Sequence, residues 1–219
     1  MKTSFPQLVE AVRQAKEKRG ESKMKQSVEL IINLKGIDLN KPENRFTEAV
    51  ELPNSLGRKS RKLCVVASSS MAPAAKRITF ISRVIEKEDV EALVGNKREA
   101  KKLAQSFDHV LVEPTLMGLA AKALGAALGS RGKSPVAIPP GQDLEKLAAK
   151  YSNTVIARLR KAPQINCIIG VEEDDDKELA ENAEAILSRV IDRLEKRIRN
   201  VSAVYVKTTM GKPVAVSLS

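Results

Sequence analysis

Two short stretches carry residues suited to recognising a ligand rather than transforming one. Thr208-Thr209-Met210-Gly211 offers two hydroxyls that donate and accept, a thioether arm that lies flat on a ribose or base, and a glycine that lets a partner approach the backbone. Ser27 and Glu29 fall two apart in an alternating run, so they project together from one face of a strand. A glutamate there can accept hydrogen bonds from a 2′-hydroxyl or a guanine edge. Such a polar set suits a folded RNA read through shape, phosphates and 2′-hydroxyls. From residue types alone, Thr208 to Gly211 is equally a polar turn that closes a strand.

Catalytic chemistry finds no footing. The one histidine, His109, sits in the apolar-leaning run Asp108 to Val112 and reads as a strand histidine rather than a general base. No nucleophile stands in an elbow or triad context, and no HExxH or GxxxxGK[ST] is present. Gly125 to Gly132 resembles a glycine-rich nucleotide loop, but it follows a helix pattern, whereas a dinucleotide fingerprint follows a strand and opens a helix. A helix stop at Gly129 with a basic loop (Arg131, Lys133) fits better. Cys64 and Cys167 lie in separate apolar runs without CxxC spacing, so they read as reduced, buried residues and not as metal ligands. The acidic run Glu172 to Asp176 reads as the dipole-favoured start of a helix rather than a metal site. No catalytic residue, metal ligand or cofactor is therefore assigned. The competing reading is a small-ligand or nucleotide-binding enzyme built on a parallel sheet in the middle of the chain.

The charge balance points the same way as the recognition residues. Thirty-eight Lys and Arg oppose 27 Asp and Glu, net +11, and such a surface favours a polyanion, nucleic acid first. The six aromatics are too few and too scattered for single-strand stacking platforms, which favours a folded RNA. No run approaches the roughly 18–20 apolar residues that span a bilayer. No basic amphipathic face suggests a membrane surface either. The N-terminus lacks an apolar signal core, so a cytoplasmic location is expected.

Three blocks of pattern must position these residues. Residues 5–19 place Leu8, Val9, Val12 and Ala15 at helical spacing, with Gly20 as a stop. Residues 27–34 alternate Val28, Leu30, Ile32 and Leu34 against a mostly polar set, the mark of a sheet with one face on a core. A turn-rich stretch (36–44), a second strand (46–52) and a loop carrying Arg58, Lys59, Arg61 and Lys62 follow. Leu63 to Ala67 is a continuous apolar run, expected for a strand buried on both faces. Helices then read at 72–78, 87–93, 97–105, 116–128 and 143–151, with a strand at 109–112 and a loop at 129–141. This alternation predicts a small parallel sheet covered by helices. One-sided alternation returns at 154–160 (Ile156, Arg158 and Arg160 on one face) and at 164–171. A long helix follows with Leu179, Ala183, Ile186, Leu187, Val190, Ile191, Leu194 and Ile198 as its stripe, closed by Lys196, Arg197 and Arg199. A last strand spans 201–207.

The expected class is α/β with two domains. Residues 1–67 and 154–219 form a discontinuous α/β domain, and 68–153 form an inserted one. The inserted segment holds 13 bases and nine acids, net +4, leaving +7 of the +11 for the terminal domain, which is expected to carry the RNA surface.

Three stretches resemble the ribosomal protein L-one family of the large-subunit side stalk, in its archaeal form. They are Lys25 to Leu30, Asp38 to Arg45, and Tyr205 to Gly211; Leu124-Gly125 and Leu128 to Lys133 also match its glycine-basic loop. The likeness covers nearly the whole chain. It implies an α/β sandwich with an antiparallel-type sheet and an inserted Rossmann-like three-layer domain without nucleotide. It implies binding to the stalk region of large-subunit rRNA, help in releasing deacylated tRNA from the exit site, and repression of translation through the protein's own mRNA. The protein would be a monomer when free of the ribosome. By position, RNA contacts would fall to Ser27, Glu29, Thr208, Thr209, Met210 and Gly211, with Arg158, Arg160 and Gln164 as weaker candidates. Met24, also expected among the RNA contacts as a side chain that can pack against a sugar, stands where the family has Phe; Lys212 intervenes before Pro213, and Ser130 replaces a proline of the family's loop.

Overall fold

The computed structural model describes residues 5–20, 23–57 and 60–217, which form two compact units: residues up to 60 together with those from 153 on, and residues 61–152. Arg58 and Lys59 of the basic loop lie outside the described residues.

In the first unit, alternation does what it predicts. Along β1 (Ser27–Leu34), Val28, Leu30, Ile32 and Leu34 are buried, while Glu29, Ile31 and Asn33 are only partly covered. β1 is flanked by β8 (Gln164–Val171) and β9 (Val201–Thr208), and β10 (Val214–Val216) adds an edge, all antiparallel in the order β10-β9-β1-β8. The helices α1 (Phe5–Glu17) and α7 (Asp176–Arg193) pack on one face. Leu8, Val12 and Ala15 from α1 meet Leu179, Ala183, Ile186 and Val190 from α7 over Leu30, Ile32, Val204 and Val206. β2 (Phe46–Glu51) and β7 (Thr154–Leu159) form a separate antiparallel pair that adds Val50, Val155, Ala157 and Leu159 to the same core. The opposite face of the four-stranded sheet is left to polar and mixed residues.

The second unit is a parallel sheet in the order β4-β3-β5-β6, built from β3 (Leu63–Ala67), β4 (Ile81–Glu86), β5 (His109–Val112) and β6 (Pro135–Ala137). The run 63–67 is apolar throughout because both its faces are covered. Cys64 and Val66 join a core with α3 (Lys87–Leu93), α4 (Lys97–Ser106) and α5 (Met117–Gly129). Val65 and Ala67 join another with α2 (Ala72–Lys76) and α6 (Leu144–Ser152). This is a three-layer, Rossmann-like arrangement.

The structure departs from the sequence reading at four points. β3 pairs with β4 and β5, so the first boundary falls after residue 60, not 67. Arg61 and Lys62 move with it, and the net charges become +6 for 61–152 and +5 for the rest. Charge therefore does not single out the terminal unit. Three strands, β4, β6 and β10, were not expected. β4 (ISRVIE) is an edge strand whose Ser82 and Arg83 are exposed and break the apolar run, and β6 and β10 are three residues each. Finally, α7 ends at Arg193. Leu194 is extended, so Lys196, Arg197 and Arg199 lie in a separate short turn rather than at the helix end.

Candidate nucleic-acid interface

The expected recognition residues meet where β9 leaves the sheet beside the start of β1. The Thr209 amide donates to the Ser27 carbonyl at 3.0 Å, extending the β1–β9 ladder by one bond. The Thr209 hydroxyl lies 3.3 Å from both the Ser27 carbonyl and Glu29 Oε1, so it can donate to either. Lys207, directly across from Glu29 on β9, donates through Nζ to the Thr209 carbonyl at 3.1 Å. Glu29, Lys207 and Thr209 thus form one fixed polar cluster on the sheet face not covered by helices. Met210, 71% exposed, and Met24, 75% exposed, are the two most exposed of the large hydrophobics among the described residues. Removing apolar side chains from water is favourable, so leaving both open costs stability that a partner's surface can recover.

Not every expected contact residue faces outward. Thr208 is fully buried on the core side of the sheet and supports the surface from beneath, while Ser27, on the face of Glu29, is only 9% exposed. The Thr208 hydroxyl has no hydrogen-bond partner. Gly211 serves the protein's own packing. A Cβ there would run into the Thr208 hydroxyl and come within 2.8 Å of the Lys18 carbonyl, because the end of α1 presses against this turn. The Lys212 amide donates to that same carbonyl at 3.2 Å.

One residue escaped sequence reasoning. Gln26 is buried, and its amide oxygen accepts from the Met210 amide at 2.8 Å while its nitrogen donates to the Arg19 carbonyl at 3.1 Å. It ties the end of α1 to the turn that presents Met210. Its partners lie seven and 184 residues away, so no local spacing marks it.

Arg158, Arg160 and Gln164 are not brought to this cluster. Gln164 pairs with Asn33, whereas Ser27 pairs with Val171, six residues along β1, or about 20 Å at strand rise. Gln164 and Arg160 are exposed, and Arg158 is half-buried opposite Thr47. Burial, and then the charge of Arg160, lower the Arg158 pKa.

The acidic run beside the cluster is engaged by bases. Lys16 pairs with Asp176, Arg19 with Glu172 at 3.3 Å, and Lys25 with Glu173. Asp175 caps α7 by accepting from the Lys177 amide at 2.8 Å, and no metal-binding group of His, Cys, Asp and Glu occurs among the described residues.

The second unit was the place for a nucleotide, at the crevice beyond β3 and β5 where the strand order reverses. At that crevice the chain places an anion of its own. Glu113 Oε2 accepts from the Ser68 amide at 2.7 Å, and Oε1 accepts from the Thr115 hydroxyl at 3.1 Å. The Ser68 bond holds the Glu113 pKa below its usual value, so the carboxylate stays charged and repels phosphate. The glycine-basic loop is a helix stop. α5 ends at Gly129, and Lys133 Nζ donates to the Ala104 and Phe107 carbonyls, closing the end of α4. His109 is buried, its ring tilted against Tyr151 at 5.4 Å.

The chain is thus a two-unit α/β protein: an antiparallel sandwich presenting a polar strand end beside the exposed Met210, and an inserted three-layer parallel unit. Residues 12–212 match the model of the ribosomal protein L1p/L10e family, and the chain belongs to that family. It is similar to the large ribosomal subunit protein uL1 of Thermococcus kodakarensis, 42% identical over 95% of this chain and 96% of the relative. It is also similar to the proteins of that name from Aeropyrum pernix, 45% identical over 89% and 87%, and from Staphylothermus marinus, 41% identical over 97% of each. The family is one of ribosomal proteins, not of enzymes.

Proposed function

We propose that this protein is a component of the large ribosomal subunit that grips large-subunit rRNA with the Glu29–Lys207–Thr209 cluster and its flanking Met24 and Met210. The carrying observation is that a hydrogen-bonded polar cluster on the β1–β9 ladder is followed directly by the exposed Met210, whose amide Gln26 holds, while the exposed Met24 lies three residues before β1. Carboxylate, hydroxyl and thioether together read 2′-hydroxyls and the flat faces of riboses, features a folded RNA offers and a random polyanion does not. The RNA in this reading is the stalk region. The same surface binds a similar fold in the protein's own mRNA and so represses translation, and placement on the stalk serves release of deacylated tRNA from the exit site. The protein acts from the cytoplasm, and no described helix is long and apolar enough to cross a membrane.

A gel-shift with the stalk rRNA fragment against a scrambled RNA of equal length, at two salt concentrations, tests this. Wild-type protein should prefer the stalk fragment at both. Met210→Ala should weaken stalk binding about tenfold, a loss of about 1.4 kcal/mol, with no change in Tm because the side chain is exposed. Equal affinity for the two RNAs would overturn the reading.

A further inference from the structure

The far end of the same sheet carries a second feature that the first cluster does not explain. The loop after β1, the start of β2 and the turn between β7 and β8 border an open cavity of about 580 Å³ lined by Leu39, Asn40, Arg45, Phe46, Thr47, Arg160 and Lys161. Its size lies within the roughly 300–1,000 Å³ of small-ligand sites. Three of the seven lining residues are cations, and none is an acid. Among the described residues no carboxylate makes an ion pair with Arg45, Arg160 or Lys161. The opposite end differs, since Lys16, Arg19 and Lys25 there are all paired with acids.

The cavity is also braced. Asp38 accepts from the Asn40 amide at 3.0 Å, the Asn44 side chain donates to the Asp38 carbonyl at 2.7 Å, and Arg45 Nε donates to the Leu39 carbonyl at 2.6 Å. The Leu34 amide donates to the Pro163 carbonyl at 2.8 Å, tying the end of β1 to the β7–β8 turn. Phe46 packs partly against the core and still borders the cavity. An open cavity with a hydrogen-bonded wall, cations, one aromatic side and two small polar side chains matches the parts of a single nucleotide.

We propose that this cavity takes one unstacked nucleotide of the bound RNA, its base against Phe46 and Leu39, its edge read by Asn40 and Thr47, and its phosphate held by Arg160 and Lys161. The proposal rests on the RNA-binding reading above. It makes the sheet a two-ended grip, with shape read near Met210 and one extruded base held about 20 Å away.

The test uses the full chain and the stalk rRNA fragment, with affinity measured from low to high KCl and chemical probing of unpaired bases. Arg160→Gln with Lys161→Gln should lower the slope of log affinity against log salt by about 1.4–1.8, two phosphate-facing charges at roughly 0.7–0.9 each. Phe46→Leu should weaken binding about 5- to 30-fold with the slope unchanged, and one base protected by wild-type protein should become reactive. Asn40→Ala, at an exposed loop tip that cannot unfold the sheet, should expose that same base. A lowered slope with every base still protected overturns the nucleotide seat and leaves a plain phosphate contact. If Met210→Ala weakens binding while all cavity variants match wild type, the cavity proposal alone fails. If wild-type protein shows no preference for the stalk RNA, the reading beneath it fails as well.

Discussion

Single side chains at the turn after β9 separate support from contact. Thr208 and Thr209 are neighbours of identical chemistry, yet one hydroxyl is buried without a partner and the other sits beside Glu29. A buried, unsatisfied hydroxyl costs free energy, and replacing it with a methyl of the same shape removes that cost. Thr208→Val should therefore leave RNA affinity unchanged and hold or raise Tm, while Thr209→Val should weaken binding several-fold at unchanged Tm. Paired melting curves and gel-shifts decide it, and a loss of affinity in Thr208→Val would show that its hydroxyl reaches the RNA. Gly211→Ala makes the opposite use of the same corner. The added methyl meets the Thr208 side chain and the Lys18 carbonyl, so about 1–3 kcal/mol of stability should be lost as the end of α1 is pushed away. A denaturant titration that finds Gly211→Ala as stable as wild type would mean this turn yields freely.

The segment Glu172–Asp176 does more at the scale of elements than start a helix. It pairs Lys16, Arg19 and Lys25, and under the proposed RNA-binding reading this pairing limits the pull of these bases on an arbitrary polyanion. Replacing Glu172 and Glu173 with Gln should release Arg19 and Lys25. Binding to scrambled RNA should tighten and its salt slope should steepen by about 1.4–1.8; the exposed Lys25–Glu173 pair contributes about 0–1 kcal/mol, so any fall in Tm should come from Glu172, whose side chain is 10% exposed. Unchanged scrambled-RNA binding across a KCl series would sink the idea. Elements of this kind were legible in the sequence in proportion to their periodicity. β1 and β8 were readable to the residue because one face of each is buried, and β3 because both of its faces are. β4 was not, because Ser82 and Arg83 interrupt it at a sheet edge. The end of α7 was missed because Leu194 and Ile198 continue the apolar stripe past the helix and still pack on or beside the core. Residue types and family likeness led to Thr209, Met210 and Glu29, but the burial of Thr208, the packing role of Gly211 and the bridging by Gln26 depend on distant partners and needed the fold.

Each unit has its own core, with no residue shared between the cluster around Leu30 and the two clusters around β3. A unit with a core of its own unfolds on its own terms. The protein carries a reporter for each, because Cys167 is buried in the first unit and Cys64 in the second, and the two thiols are not joined in a disulfide. Burial pushes the Cys64 thiol from 9.0 up to about 12, so at pH 8 it is protonated as well as shielded from a thiol reagent. The sign of its pH effect follows. The unfolded chain releases this proton near pH 9 while the native chain retains it, so the stability linked to Cys64 is intact below about pH 9 and declines as pH rises toward 12. At pH 8 neither cysteine should react with a disulfide reagent in native buffer. In a urea series, peptide-resolved labelling should find Cys64 and Cys167 becoming reactive at different midpoints, each with its own slope. The mutation Gly211→Ala should lower the Cys167 midpoint and leave that of Cys64 in place, because the methyl strains only the first unit. Coincident midpoints that shift together would show the two units unfolding as one cooperative body.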